Sequence, residues 1–203
     1  VRVFDDDSPR WTWTFEHLAA FVNEGQALVF VNHKHTVDEL TRECERRAIK
    51  AVALHGDLDQ GMRQEAMREF KSERAHVLVA TDVAARGLDV DSIKTVINFH
   101  ASRDVSTHVH RIGRTGRAGK KGLATAFFTD KDSSLARGLV EILSEAGQDV
   151  PSFLNGFASR GFGGGGGRRG GGRRGGGGFG GRDFRRGGGG DGYSGGGGYG
   201  GGW

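Results

Sequence analysis

The sequence predicts a parallel α/β sheet covered by helices on both faces, followed by a glycine-rich tail that does not fold. In the first 159 residues, short apolar segments alternate with charged stretches of helical spacing, as in α/β domains. The last 44 residues, 160–203, hold 27 Gly and 8 Arg but no Val, Ile, Leu or Met. Because such a segment cannot offset its ordering entropy by burial, we expect it to be disordered.

Five apolar segments are the predicted strands. Their hydrophobicity is nearly continuous, which is typical of strands buried on both faces. The segments are Ala27–Val31, Ala51–Leu54, Val77–Ala80, Thr95–Phe99 and Leu123–Phe128. The stretches between them are long enough for the crossover helices that parallel strands require.

Four helices are predicted from apolar residues that recur at helical spacing. They are Trp13–Val22, Thr36–Arg47, Asp59–Lys71 and Ser133–Leu143. Thr36 is the expected N-cap of the second helix, because threonine hydroxyls accept from free backbone N–H groups. Trp11 and Trp13 are interpreted as packing anchors of the first helix and not as a binding platform.

Composition excludes two classes of protein. No apolar run is longer than the five residues of Ala27–Val31, whereas a membrane-spanning helix needs about 20. The chain start lacks a secretory pattern and the lone Cys44 has no disulfide partner, so we expect a nuclear or cytoplasmic protein that is not secreted. The absence of an initiator Met and the linker-like opening residues lead us to expect a fragment of a longer protein.

Polar clusters follow the predicted strands directly. They are Asn32–Lys34, His55–Asp57, Thr81–Asp82 and His100–Asp104. In open α/β sheets, ligands bind outside the carboxyl ends of the strands. These clusters are rich in donors suited to anions, so the sequence predicts a phosphate-bearing ligand at this edge.

The segment His110–Gly119, HRIGRTGRAG, interleaves basic donors with glycines that permit tight turns. If helical geometry persists, Arg114 and Arg117 project to the same side and could hold one phosphate together. The alternative is a solvated basic turn. A second cluster, Ala80–Asp89, offers the Thr81 hydroxyl and the Asp89 carboxylate to a nucleotide, and the alternative there is that Asp82 caps a short helix.

Four strings together resemble the C-terminal RecA-like lobe of DEAD-box RNA helicases. They are LVFVN (28–32), HGDLDQGMR (55–63), ATDVAARGLD (80–89) and HRIGRTGRAG (110–119), in the order the family has them. The resemblance covers about residues 1–147, which leaves 148–159 as a linker and 160–203 as the tail. It implies a RecA-like sheet sandwiched by helices.

The resemblance implies a role for each matching residue. Arg114 and Arg117 would be arginine fingers that reach the γ-phosphate of ATP, and Gly87 and Asp89 would also contact ATP. The residues that would couple this lobe to the N-terminal lobe are Arg86, His110 and Arg111. Those that would hold RNA phosphates and sugars without reading sequence are Asn32, Gly56, Gln60, Arg63 and Thr81.

The implied cofactor is ATP with Mg²⁺, the metal being held mainly by the N-terminal lobe. These 203 residues contain neither a GxxxxGK[ST] phosphate loop nor a DEAD string, so the chain alone is not expected to hydrolyse ATP. The expected partners are therefore RNA, an N-terminal RecA-like lobe and ribonucleoprotein components, with no membrane. The pairs His33/His35 and His108/His110 lack carboxylate or cysteine partners at a metal-binding spacing, so no metal site is expected in this chain.

The tail resembles an RGG box. Its arginine pairs, separated by glycines and aromatic residues, are Arg168-Arg169, Arg173-Arg174 and Arg185-Arg186. With 8 Arg and 2 Asp the tail carries +6, which favours salt-sensitive RNA binding with little specificity, although a flexible solubilising tail is the alternative. Two functions result: the C-terminal part of an ATP-dependent RNA helicase that unwinds duplexes or remodels RNPs, or a non-enzymatic RNA-binding or annealing protein acting through its tail.

Overall fold

A six-stranded, wholly parallel sheet forms the centre of the part of the chain that the structure describes. The computed structural model describes residues 2–3 and 8–160, except 86–89, 91–92 and 118. The strands are β1 (Arg2–Val3), β2 (Gln26–Val31), β3 (Ala51–Leu54), β4 (Val77–Thr81), β5 (Ile93–Asn98) and β6 (Leu123–Phe128). Their order across the sheet is β1-β6-β5-β2-β4-β3. All five predicted strands are therefore present, and the parallel pairing is confirmed.

Helices lie against both faces of this sheet. They are α1 (Ser8–Glu24), α2 (Lys34–Arg46), α3 (Gln60–Lys71), α4 (Val105–Ile112), α5 (Ser133–Glu145) and α6 (Ser152–Arg160), with a 3₁₀ turn at Asp130–Asp132. This is the RecA-like arrangement expected from the sequence. Among the described residues, no helix is both long enough and apolar enough to cross a lipid bilayer.

Strand β2 shows how one run of apolar residues supplies two cores. Val29 and Val31 pack with Leu18 of α1 and other residues on one face, whereas Leu28 and Phe30 pack with residues of the opposite face. Successive strand residues point to opposite sides of a sheet, so a strand covered twice must be apolar throughout. The near-continuous hydrophobicity that identified the strands is thus explained by burial on both faces.

The start of α2 differs from the prediction. Its N-cap is His33, in extended geometry and without a side-chain capping bond, and the helix begins at Lys34. Thr36 is buried within the first turn, so its side chain packs inside the protein and the N-cap assignment to Thr36 was wrong. By contrast, Asp59 does precede α3, and its carboxylate accepts a hydrogen bond from the backbone N–H of Met62 at 2.8 Å.

Four elements were not predicted, namely β1, α4, the 3₁₀ turn and α6. Strand β1 has only two residues and pairs with Phe127 and Phe128 of β6, too short a segment to show any periodicity. Helix α6 occupies most of the stretch that the sequence suggested as a linker and ends at Arg160, the first residue of the predicted tail. Its Leu154 is fully buried against α5 and Phe128. Part of the expected linker is therefore a packed helix.

The tryptophans of α1 are packing residues, as expected. Trp13 is buried and meets Phe127 edge-on, with 5.2 Å between ring centroids. Trp11 meets Phe99 in the same manner at 5.3 Å. These contacts fix α1 across β5 and β6, because aromatic pairs prefer such edge-to-face geometry.

Candidate functional site

A buried arginine ties together the carboxyl ends of three strands. The Nε and Nη2 atoms of Arg111 donate to the two carboxylate oxygens of Asp82 at 2.6 and 2.7 Å. Nη1 donates to the backbone oxygen of His100 at 2.7 Å and to Oδ1 of Asn98 at 3.3 Å, and Nη2 also donates to Oδ1 of Asn32 at 2.9 Å. A guanidinium has five N–H groups. All five are therefore used within this domain.

The carboxylate of Asp82 is engaged by Arg111. Both of its oxygens face Arg111, and residues 82–85 form a turn. The alternative that Asp82 caps a short helix stays a prediction, because residues 86–89 lie outside the described part of the chain. The Arg111 side chain is only 1% exposed, and a charge buried this deeply requires a carboxylate partner.

A cleft of about 560 Å³ opens beside this arginine at the carboxyl edge of the sheet. Asn32 and Thr81 line it from the ends of β2 and β4, and His110 and Arg114 line it from α4 and the turn that follows. The remaining lining residues are Phe30, Val31, Asp82, Val83, Ala85, Arg103, Thr107 and Arg111. The structure thus gathers at one cleft residues that the sequence assigned to RNA binding, to lobe coupling and to phosphate contact.

A second, smaller cavity of about 150 Å³ is strongly basic. Its charged lining residues are Lys94, Arg114, Arg117, Lys120 and Lys121. None of the described residues that line it carries a carboxylate, so this donor set suits a phosphate and does not suit a cation such as Mg²⁺. Among the described residues, no group of three or more His, Cys, Asp or Glu side chains has a metal-binding arrangement.

The two arginines of the basic cavity come together by a route other than the expected one. Helix α4 ends at Ile112 with Gly113 as its C-cap, so helical geometry does not persist to Arg117. Instead the chain turns at Gly116, whose φ of +68° favours glycine, and Arg117 Nε donates to the backbone oxygen of Gly113 at 2.6 Å. Arg114 and Arg117 nevertheless line the same cavity.

The charges of the two arginines act on each other. Burial, and then the charge of Arg117, lower the pKa of Arg114 from its usual value. Both effects disfavour the charged form of the guanidinium, whereas an anion bound in the cavity would favour it. The described charged residues of the cavity are thus all basic, which suits phosphate.

The loop that carries these arginines is fixed by Thr115. Its hydroxyl lies 2.8 Å from the backbone oxygens of both Ile93 and Lys94, at the start of β5. A Cβ on Gly122 would overlap the Thr115 side chain and lie 2.6 Å from the backbone nitrogen of Gly116. Close packing thus requires glycine at position 122 and sets the position of the loop.

The model of a known family covers most of this arrangement. Residues 13–119, from within α1 to Gly119 of the basic loop, match the family described as helicase conserved C-terminal domain. The chain belongs to the helicase conserved C-terminal domain family. We call the part of the chain before the tail, residues 1–159, the helicase lobe.

Relatives of the helicase lobe are DEAD-box proteins. DEAD-box ATP-dependent RNA helicase 24 of Oryza sativa subsp. japonica is 47% identical over 161 residues, which are 79% of this chain and 21% of that protein. The structure of the yeast DEAD-box splicing factor Prp28 superposes with a TM-score of 0.70 at 28% identity, over 78% of this chain and 36% of that chain. That of the E. coli DEAD-box protein SrmB superposes with a TM-score of 0.58 at 38% identity, over 64% of this chain and 76% of that chain.

These comparisons identify the domain as a DEAD-box C-terminal lobe. The chain spans about a fifth of the length of the curated relatives it matches.

Three residues of the helicase lobe expected to bind RNA lie apart from the cleft lining. Gly56 is in the loop after β3, where a Cβ would meet nothing within 4 Å. Gln60 and Arg63 occupy the first turn of α3, the former exposed and the latter half-buried. They belong to the same edge of the sheet as Asn32 and Thr81, since β3 pairs in parallel with β4.

Several expected site residues lie outside the described part of the chain. They are Arg86, Gly87 and Asp89, together with the tail arginines Arg168, Arg169, Arg173, Arg174, Arg185 and Arg186. Their predicted roles stay predictions.

Sequence reasoning missed the residues that hold the helicase lobe's site in place. Asp82 and Asn98 are partners of Arg111, and His100 accepts a hydrogen bond at Nδ1 from the backbone N–H of Asn32 at 3.1 Å. Asp82 and His100 were signalled only by their position after neighbouring strands, and Asn98, inside a predicted strand, had no signal. Which of them meets Arg111 depends on the order of the strands in the sheet, which the sequence does not state.

Proposed function

We propose that the chain is the C-terminal part of an ATP-dependent DEAD-box RNA helicase, in which RNA-stimulated ATP hydrolysis drives local duplex unwinding or RNP remodelling. What supports this most is the position of Arg114, which lines both the cleft beside Asn32 and Thr81 and the basic cavity beside Arg117. One cation thus lies between the proposed RNA edge and the proposed phosphate site. Displacement of the loop that carries Arg114 would affect both the RNA edge and the phosphate site.

Each residue then has a chemical role. Bound ATP supplies the γ-phosphoryl group that is transferred to water, with Mg²⁺ held mainly by the N-terminal lobe. Arg114 and Arg117 stabilise the negative charge that develops on the phosphate oxygens, and Asp89 and Gly87 contact the nucleotide. Asn32, Thr81, Gly56, Gln60 and Arg63 bind the sugars and phosphates of RNA.

Arg111 acts as a positioning residue in this proposal. Its five N–H groups are already used within the lobe, so it transmits lobe closure through Asp82 and Asn32 and not by a free donor. Arg86 and the exposed His110 are the residues proposed to reach the N-terminal lobe directly.

The test is a fusion protein in which this chain replaces the corresponding segment of DEAD-box ATP-dependent RNA helicase 24. We expect RNA-stimulated ATP hydrolysis, and we expect Arg114→Ala to lower kcat by about 10³-fold or more, as for other arginine fingers. Arg137→Ala is the matched control, because Arg137 is 70% exposed on α5 and pairs only with its helical neighbour Glu141 in the described part of the chain. An Arg114→Ala fusion that keeps more than about a tenth of the activity would refute the assigned role.

Family membership does not favour the non-enzymatic alternative, because the relatives are named ATP-dependent RNA helicases. The glycine- and arginine-rich tail is proposed to add salt-sensitive, sequence-independent RNA binding, on the strength of its composition. Its removal should weaken RNA affinity at low salt and leave the effect of Arg114→Ala unchanged.

The proposed partners are RNA, an N-terminal RecA-like lobe and ribonucleoprotein components. The proposed location is the nucleus or the cytoplasm. The free thiol of the buried Cys44 is compatible with a reducing compartment.

A further inference from the structure

Three histidine rings lie against one another beside the carboxyl ends of β2 and β5. His33 and His35 are stacked, with ring centroids 5.4 Å apart and planes inclined by 18°. His100 meets His33 edge-on at 5.6 Å. His33 and His35 are exposed and His100 is half-buried, so the three form a ledge with one open side. We call this group the histidine ledge.

The base of the histidine ledge is rigid. His100 Nδ1 accepts the hydrogen bond from the Asn32 backbone, and Arg111 holds the His100 backbone oxygen. The ring of Phe99 packs edge-on against His100 at 5.2 Å. Burial, followed by the charges of Arg10, His33 and Arg111, lowers the pKa of His100 to about 4. His100 is therefore an uncharged ring at neutral pH, fixed in one orientation.

The exposed rings have no evident role in holding the fold. His33 stands at the N-cap of α2 but makes no side-chain capping bond, and neither His33 nor His35 belongs to a described core cluster. No carboxylate joins these rings in a metal-binding group among the residues described. What the two rings offer is an aromatic face open to solvent, next to Asn32.

We propose that the histidine ledge stacks one unpaired base of the RNA strand whose backbone is bound at Asn32. The inference rests on the proposed RNA binding at this edge and goes beyond it, since the contacts assigned so far involve only phosphate and sugar. Histidine is among the side chains on which unpaired RNA bases stack, and stacking tolerates any base because every base has a π-face. The histidine ledge therefore adds affinity for single-stranded RNA without adding sequence preference.

The experiment uses the full chain labelled with ¹³C in its histidine rings and observed by NMR. The chain is titrated with octaadenylate and with an abasic ribose-phosphate strand of the same length. We expect the ring signals of His33 and His35 to move upfield with octaadenylate and to stay in place with the abasic strand, because only a stacked base imposes a ring current. His76 is an internal control, since it is exposed and precedes β4 at the opposite, amino end of the strands.

Affinity gives the second readout. The double variant His33→Ala/His35→Ala should bind octaadenylate at least about fivefold more weakly, as expected for the loss of one stacked base, and should bind the abasic strand as before. The double variant His33→Phe/His35→Phe should restore the affinity, and His76→Ala should not change it. The tail is present in every variant and therefore cannot produce these differences.

Three results would overturn the histidine ledge proposal. Equal shifts with both strands would mean that only the backbone is contacted, and unmoved signals would mean that no base reaches the rings. Shifts caused by a phenylalanine-containing peptide but not by octaadenylate would assign the surface to a protein partner. The variant Arg63→Ala distinguishes a wrong histidine ledge proposal from a wrong proposed function. If this variant binds both strands more weakly, RNA binding at this edge of the sheet is supported even when the histidine rings contact no base.

Discussion

Replacement of Arg111 is expected to destabilise the lobe strongly. In the structure its guanidinium forms five hydrogen bonds, two of them to the Asp82 carboxylate, and the side chain is 1% exposed. Removing one partner of a buried ion pair costs about 3–5 kcal/mol. The Asp82 side chain is 31% exposed and can be partly rehydrated, so we expect Arg111→Ala to lower the free energy of unfolding by about 3 kcal/mol.

The measurement is urea unfolding at neutral pH, followed by circular dichroism and extrapolated linearly to zero urea. Arg103→Ala is the matched control, because Arg103 and its partner Asp104 are 75% and 48% exposed, and such surface pairs contribute about 0–1 kcal/mol. A double-mutant cycle with Asp82→Ala should give a coupling of about 2 kcal/mol. A loss below about 1 kcal/mol for Arg111→Ala, or a coupling near zero, would refute the reasoning.

Three further predictions concern the packing and titration of the lobe. Gly138→Ala should destabilise the lobe by about 1–3 kcal/mol, because a Cβ at this position overlaps the Val105 side chain. Gly156→Ala, where a Cβ meets open space, should be neutral or slightly stabilising in the same urea assay. Burial raises the pKa of the Cys44 thiol to about 12, so iodoacetamide should leave this thiol unmodified in the folded lobe and modify it in urea. Mass spectrometry checks this, and modification of Cys44 in the folded lobe would contradict the prediction. Burial, and then the charge of Arg111, lowers the pKa of His108 to about 4 in the folded lobe, whereas a histidine in the unfolded chain has a pKa of about 6.5. Because the unfolded chain then binds the proton more tightly, the free energy of unfolding that is present above about pH 6.5 should decrease as the pH falls towards 4. His108→Gln should make that decline in urea midpoints shallower without abolishing it, because the pKa of His100 is lowered to about 4 as well. An unchanged decline would rule His108 out as a source.

The strands could be predicted because burial on both faces requires a nearly continuous run of apolar residues, which is visible in the sequence. Val29 and Leu28 are adjacent in sequence and belong to opposite cores, so neither position tolerates a polar residue. The two-residue β1 carries no such signal. The N-cap of α2 was misjudged because Thr36 has the right chemistry for a cap but is buried within the helix.

The site was predicted as a set of residues but not as a set of contacts. Arg114 and Arg117 were expected to share a helix face, and they share a cavity only because the chain turns at Gly116. The partners of Arg111 come from three strands, up to 79 residues away along the chain at Asn32. Such pairings depend on strand order and on register, which local sequence patterns do not determine.

The central position of β2 also determines how the domain should open. This strand is hydrogen-bonded on one side to β4 and on the other to β5, whereas β3 and β1 lie at the two ends of the sheet. In native-state hydrogen exchange, the amides of β2 should therefore exchange only through global unfolding, while those of β3 exchange through smaller, local openings. A ligand at the carboxyl edge would then protect the amides around Gly56 by closing local openings, and it would slow exchange in β2 only as far as it raises the stability of the whole domain.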